Sequence, residues 1–327
     1  MKLHLFNPDN DLALAANVAD YTPPRSVHRF REALAAIPAW LAQPGDNLYA
    51  PGVTPQWLAS KGLDVGLDPV GDPEPWGWSA AAAEFYRRLK IPGPFPDIER
   101  IRSLSHRRSA LNLYRALEGR LPYPLPPAPM EIRSTDELPE TDRIMLKSPW
   151  SCSGRGVVDC EGMTSANIRR RADDAIRRQG SVMVEPKLRK LTDFAMLYSG
   201  GRFAGLSLFY TSGPAAYAGN IVDCDEGLAA RIGAEWLRET AEAVEACLPK
   251  DYRGPLGVDM MVYETDDHRR LICPTVEINF RKTMGFVARA LYRRLGPGRF
   301  AITAAPTAPG LALIPPSPNF SATFLPD

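Results

Sequence analysis

Gly257-Val258-Asp259-Met260-Met261-Val262-Tyr263 and Thr275-Val276-Glu277-Ile278-Asn279-Phe280-Arg281 are two apolar runs carrying a few acidic and amide side chains, on either side of a polar stretch, Thr265 to Arg269. The pattern predicts a β-hairpin with strands over 258–263 and 271–279. Residues two apart share a face of a strand, so Glu277, Asn279 and Arg281 point the same way while the strand lasts. A turn near Asp267 puts Asp259 roughly opposite Glu277. Two carboxylates and an amide oxygen then converge among apolar neighbours. Like charges held this close are costly unless a cation joins them. A hard, oxygen-liking ion such as Mg²⁺ fits the set, and such an ion usually also binds substrate phosphates. An ordinary hairpin with its polar residues facing water has the same spacing.

Working upstream, Lys147 closes an apolar strand (143–147) and is followed by Ser151-Cys152-Ser153-Gly154-Arg155-Gly156. A lysine there can reach a phosphate, and backbone N–H groups of a small-residue loop can cradle others. A surface lysine before a plain loop reads identically. Further on, Val182-Met183-Val184-Glu185-Pro186-Lys187-Leu188 is an apolar strand ending in Glu. Its free backbone groups can read an adenine edge, or it can be a buried strand leaving the core. Asp193 either binds a ribose hydroxyl or starts the next strand.

The remaining chain predicts alternating elements. Lys2 to Phe6 is a strand closed by Asn7-Pro8-Asp9-Asn10-Asp11, which either caps a helix from Leu12 or faces a substrate at the carboxyl edge of a sheet. A helix over 30–41, a strand–helix–strand alternation over 49–67, a loop over 72–78 and a helix over 80–89 complete a small α/β layer unit. A helix over 105–117, an extended proline-rich linker over 121–129 and an Arg-rich helix over 166–178 follow. Gly200-Gly201 marks a second hairpin, between strands over 194–198 and 203–210. Helices are expected over 227–247 and 286–295, and an irregular tail from Thr303.

The 327 residues include 39 basic and 38 acidic side chains, a net charge of +1, which argues against a nucleic-acid binder. No apolar run reaches the roughly 18 residues that span a bilayer, and no signal h-region forms after Met1. Five scattered cysteines and four scattered histidines make neither a disulfide framework nor a metal cluster; a cytoplasmic protein is expected. Walker A, dinucleotide-binding, nucleophile-elbow and zincin motifs are all missing from the sequence.

The order lysine with glycine loop, strand with glutamate, then Asp and Glu-x-Asn on a late hairpin resembles the ATP-grasp superfamily, the carboxylate–amine ligase type. The resemblance covers roughly residues 100–290 and rests on IMLKSPWSCSGRGV, VMVEPKL, GPLGVDMMVY and TVEINFR. It implies an ATP-grasp fold, mixed α/β and α+β, behind an N-terminal α/β domain. The units expected are 1–100, an ATP-grasp small lobe over 101–190, a large lobe with the metal site over 191–302, and a proline-rich tail over 303–327. Lys147 would contact ATP, and the loop with Ser151, Ser153, Gly154 and Gly156 would close over its phosphates as a lid. Glu185 and Leu188 would hold the adenine and Asp193 the ribose. Asp259, Glu277 and Asn279 would hold Mg²⁺, two ions in the expected case, with Mn²⁺ as a substitute. Arg281 would steady the phosphoryl group. Where the family carries an earlier lysine this chain reads Ser105-His106-Arg107-Arg108, and Arg107 is the candidate to supply that charge. The implied activity is a ligase joining a small-molecule or peptide carboxylate to an amine, with a homodimer as the expected assembly. An ATP-grasp kinase and a non-catalytic nucleotide-binding protein are the alternatives.

Overall fold

The computed structural model describes residues 1–151, 156–212 and 216–327. The N-terminal unit is a parallel sheet of β1 (Lys2–Leu5), β2 (Asp46–Tyr49), β3 (Val65–Gly66) and β4 (Asp72–Pro75), in the order β3-β2-β1-β4. Around it lie α1 (Asn10–Ala16), α2 (Arg25–Ala33), α3 (Pro55–Ser60) and α4 (Ala80–Arg88). The side chains of Thr54 and Ser79 cap α3 and α4 by accepting from Trp57 N and Ala82 N. Parallel strands need both faces covered, and Leu3, Leu5 and Leu48 are buried accordingly.

Two expectations fail in this unit. The stretch 72–78 is not all loop, because β4 pairs with β1. Pro73 and Pro75 have no N–H to donate, and β4 tolerates them because it is an edge strand. Asp72 N and Trp76 N bond Met1 O and Leu5 O, while the Tyr86 hydroxyl accepts from Glu74 N and donates to Leu3 O. The helix expected over 30–41 also ends early: α2 stops at Ala33 and a separate 3₁₀ turn carrying Pro38 covers Ile37–Trp40.

After α5 (Ile98–Leu104) and α6 (Arg108–Leu117) comes a small antiparallel sheet of β5 (Met130–Ile132), β6 (Ile144–Lys147), β7 (Val157–Asp159) and β8 (Val182–Pro186), ordered β5-β8-β6-β7. Helix α7 (Ser165–Gln179) packs on it through Ile168 and Ala172.

The largest sheet runs β13-β12-β9-β10-β11-β14-β16-β15, all antiparallel. Its strands are β9 (Arg189–Ser199), β10 (Arg202–Ser212), β11 (Ala216–Val222), β12 (Leu256–Glu264), β13 (Arg270–Asn279), β14 (Gly298–Thr303), β15 (Leu311–Ala312) and β16 (Ser321–Pro326). Gly200 and Gly201 join β9 to β10 with φ of +63° and +78°, the left-handed pair a tight hairpin turn requires. The helix expected over 227–247 is two, α8 (Asp225–Ile232) and α9 (Leu237–Cys247), because Gly233 and Trp236 turn left-handed between them. The expected tail is not irregular throughout: Phe324 on β16 is 1% exposed and pairs with Phe300 on β14. Helix α10 (Met284–Leu295) shares one core with the N-terminal unit, where Val287 and Leu291 join the cluster of Phe6 and Trp76.

Candidate active site

The hairpin β12–β13 pairs Asp259 with Glu277 and Gly257 with Asn279, the register expected from the sequence. Asn279 Nδ2 donates to Asp259 Oδ2 at 3.0 Å, which leaves Oδ1 as the amide atom a metal would meet. Burial, then the Glu277 carboxylate, push the Asp259 carboxyl up, and Arg281 and the Asn279 bond pull it back only in part. Such a pair accommodates a cation. No three His, Cys, Asp or Glu side chains form a metal centre among the described residues. Two carboxylates and an amide suit an ion that keeps waters and takes its other ligands from a substrate phosphate, as Mg²⁺ does.

Arg107 reaches this corner from the turn before α6. Its Nη2 lies 3.0 Å from Glu277 Oε1 and 3.0 Å from Ser151 Oγ, and its Nε donates to Ser148 O at 3.0 Å. It is 6% exposed. One guanidinium thus ties the hairpin carboxylate to the segment that follows β6. At the other end of that segment, Gly156 O accepts from Ser148 N at 2.9 Å. Gly156 has φ +78°, and a Cβ there would lie 2.8 Å from Ser148 Oγ. Ser153 and Gly154 lie outside the described residues.

A cavity of about 300 Å³ opens between the small and large sheets, against this corner. Lys147, Glu185, Leu188 and Asp193 line it together with Arg107, Asp259 and Glu277. Lys147 on β6 forms an ion pair with Glu185 on β8, and Asp193 one with Lys190 at 2.6 Å. Seven residues singled out in the sequence therefore meet in one space, although they come from five separate segments.

Arg281 does not line this cavity. Its Nε and Nη2 donate to Asp11 Oδ2 at 2.9 and 2.7 Å, across 270 residues. It lines a second chamber of about 180 Å³, shared with Asp259, Glu277 and Asn279 on one side and Pro8, Phe30 and Tyr217 on the other. The carboxylate pair is thus common to both spaces. Neighbouring Lys282 is buried and reaches Glu74 Oε1 at 2.5 Å and Pro75 O at 2.9 Å, anchoring the N-terminal sheet to the end of β13. In the chamber wall the amide of Asn220, 1% exposed, donates to Ser207 Oγ at 2.9 Å and accepts from Tyr217. Lys282, Tyr217 and Asn220 were not identified from sequence, and Asp11 was read there only as part of the loop Asn7 to Asp11, not as the partner of Arg281. The only local signal was the density of Asx residues around Asp11.

No protein-family profile matches the chain, and no curated protein matches it. Solved structures do. N5-carboxyaminoimidazole synthetase from Staphylococcus aureus, complexed with ADP, is 11% identical with a TM-score of 0.50 and covers 100% of this chain and 93% of its own. Biotin carboxylase from Campylobacter jejuni, in a β-γ-ATP complex, is 12% identical with a TM-score of 0.51, covering 99% and 87%. Phosphoribosylamine–glycine ligase from Thermotoga maritima is 14% identical with a TM-score of 0.51, covering 99% and 90%. These are ATP-grasp proteins, and the chain has the ATP-grasp fold. Within that fold the seven cavity residues occupy the cleft between the two sheets that follow the N-terminal unit.

Proposed function

We propose that the chain is an ATP- and Mg²⁺-dependent ligase that activates a carboxylate as an acyl phosphate and joins it to an amine. One observation carries this reading: Asp259 and Glu277 stand on the boundary of two spaces, one with Lys147 and Arg107, the other with Arg281. The first space takes ATP, as two of the similar structures hold adenine nucleotides. The second takes the carboxylate and the amine.

Lys147 and Arg107 place positive charge along the phosphates, where phosphoryl transfer needs positioning and charge neutralisation. Glu185 and Leu188 flank the adenine, and Asp193 accepts from the ribose. Bound Mg²⁺ would be held by Asp259, Glu277 and Asn279 Oδ1 and would neutralise charge on the β- and γ-phosphates. A carboxylate oxygen attacks the γ-phosphorus and ADP leaves. The amine nitrogen then attacks the acyl carbon, inorganic phosphate leaves and the nitrogen gives up a proton. Arg281, oriented by Asp11, supplies donors to the oxygens that gain charge in both steps. A small-molecule or peptide carboxylate and a small-molecule amine are the substrates in this reading. No helix is long and apolar enough to cross a membrane among the described residues.

The test is ADP release on incubation with Mg·ATP and pooled carboxylates and amines, followed by mass analysis of the product. ADP release that needs both pools, with a new amide bond, supports the ligase. A stable phosphorylated product from one pool alone would overturn it in favour of a kinase.

A further inference from the structure

A third cavity, of about 460 Å³, lies in the N-terminal unit, and neither Asp259 nor Glu277 lines it. Its volume falls in the range of small-molecule sites, about 300–1,000 Å³. It sits at the carboxyl edge of the parallel sheet, between the segment after β1 and the start of α4. Asn7, Asp9 and Asn10 line it, with Arg31 from α2.

Two buried polar atoms in its wall have no partner: Asp9 Oδ1 and Asn10 Nδ2. Asp9 is 3% and Asn10 1% exposed. Neighbouring bonds fix which atom of Asn10 is unpaired. Asn7 Oδ1 accepts from Trp76 N and Gly77 N at 3.0 and 3.3 Å, so Asn7 Nδ2 is the donor. That Nδ2 donates to Gly77 O at 2.8 Å and to Asn10 Oδ1 at 3.4 Å. The unpaired atom of Asn10 is therefore a donor, while that of Asp9 is an acceptor. Nor is Asp9 spent on capping. It occupies the N-cap position of α1, yet its side chain makes no cap bond. A buried acceptor or donor without a partner destabilises the fold, more so when the group is charged. A ligand that offers both partners removes the cost.

We propose that this cavity binds an α-amino-acid group, with the ammonium on Asp9 Oδ1 and the carboxylate on Asn10 Nδ2 and Arg31. An ammonium is the group that best compensates a buried carboxylate. The carboxylate of the same ligand accepts from the amide and meets the arginine. Arg31 already acts on Asp9 through space and favours its ionised form, against the burial that disfavours it. The site is separate from the nucleotide cavity and stands whether or not the chain is a ligase.

The experiment is calorimetric titration of the full chain with each proteinogenic amino acid, then with the decarboxylated amine and the deaminated acid of the tightest binder. An amino acid should bind, and each truncated analogue should bind at least tenfold more weakly. Asp9→Asn keeps the volume and should weaken the amino acid at least tenfold with an unchanged unfolding midpoint. Asn10→Asp replaces the donor with an acceptor and should weaken the amino acid while sparing the amine. Glu277→Gln should leave this binding intact, so a failure of the ligase reading is seen separately. No binding by any amino acid, binding that survives Asp9→Asn, or equal binding of the amine would each overturn the proposal.

Discussion

Replacing Arg107 with Met should damage stability and nucleotide binding together, for one electrostatic reason. The guanidinium is 6% exposed and serves Glu277, Ser148 O and Ser151 at once. Removing it leaves Glu277 beside Asp259 with no cation at 3.0 Å. Removing one partner of a buried pair costs about 3–5 kcal/mol. The Glu277 side chain is 24% exposed, so the lower end, about 3 kcal/mol, is expected. Arg107→Lys keeps a point charge but cannot span all three acceptors, and should cost about half as much. Added Mg²⁺ should restore more stability to Arg107→Met than to the wild type, since the ion can occupy the space between the carboxylates; at a hundredfold over Kd that linkage is worth about 2.7 kcal/mol. Urea unfolding with and without Mg²⁺ reads the first effect. ATP titration reads the second, where a loss of at least tenfold is expected. An Arg107→Met protein within about 0.5 kcal/mol of wild type, with unchanged ATP affinity, would refute the reasoning.

Lys147→Ala should weaken ATP about tenfold or more, through the loss of a charge-assisted contact of about 1.5–3 kcal/mol, and calorimetry checks it. Unchanged affinity would mean that the Lys147–Glu185 pair is only structural. His106 gives the fold an acid limit. Burial, with Arg108 close by, pushes it down to about 4, and its Nδ1 accepts from Arg108 N at 2.9 Å. With the folded value below the unfolded one, the unfolded chain takes up the proton first. The His106 contribution should therefore fall by about 1–3 kcal/mol as pH drops from 6.5 to 4, read as the difference between the wild type and His106→Asn. In urea unfolding at a series of pH values, the wild type and His106→Asn should differ by that amount between pH 6.5 and 4, and parallel curves would refute the assignment to His106.

The site was legible where chemistry lies on short strands. Asp259, Glu277 and Asn279 fall on one hairpin whose turn residues set the register, so a period of two was enough to converge them. Lys147 and Glu185 were legible as strand ends, but their pairing across β6 and β8 was not, because 38 residues separate them. Asp11 was further out of reach: no local pattern tells that it will hold Arg281, 270 residues away. The fold was misread where punctuation competes with tertiary contact. Pro73 and Pro75 signal a loop, yet an edge position and the Tyr86 hydroxyl keep β4 in the sheet. The proline-rich stretch after Thr303 hides the Ser321–Pro326 strand, whose partner β14 lies upstream of that stretch. Gly233 was the opposite case, a helix stop visible in the sequence and outweighed by apolar periodicity on both sides.

The central claim is that Asp259 and Glu277 join the nucleotide to a metal. The direct measurement is ATP affinity by calorimetry with and without Mg²⁺, in the wild type and in Glu277→Gln. The wild type should bind at least tenfold more tightly with Mg²⁺. Glu277→Gln should keep the Mg²⁺-free affinity supplied by Lys147 and Arg107 and lose the gain. An equal Mg²⁺ enhancement in both proteins would contradict the account.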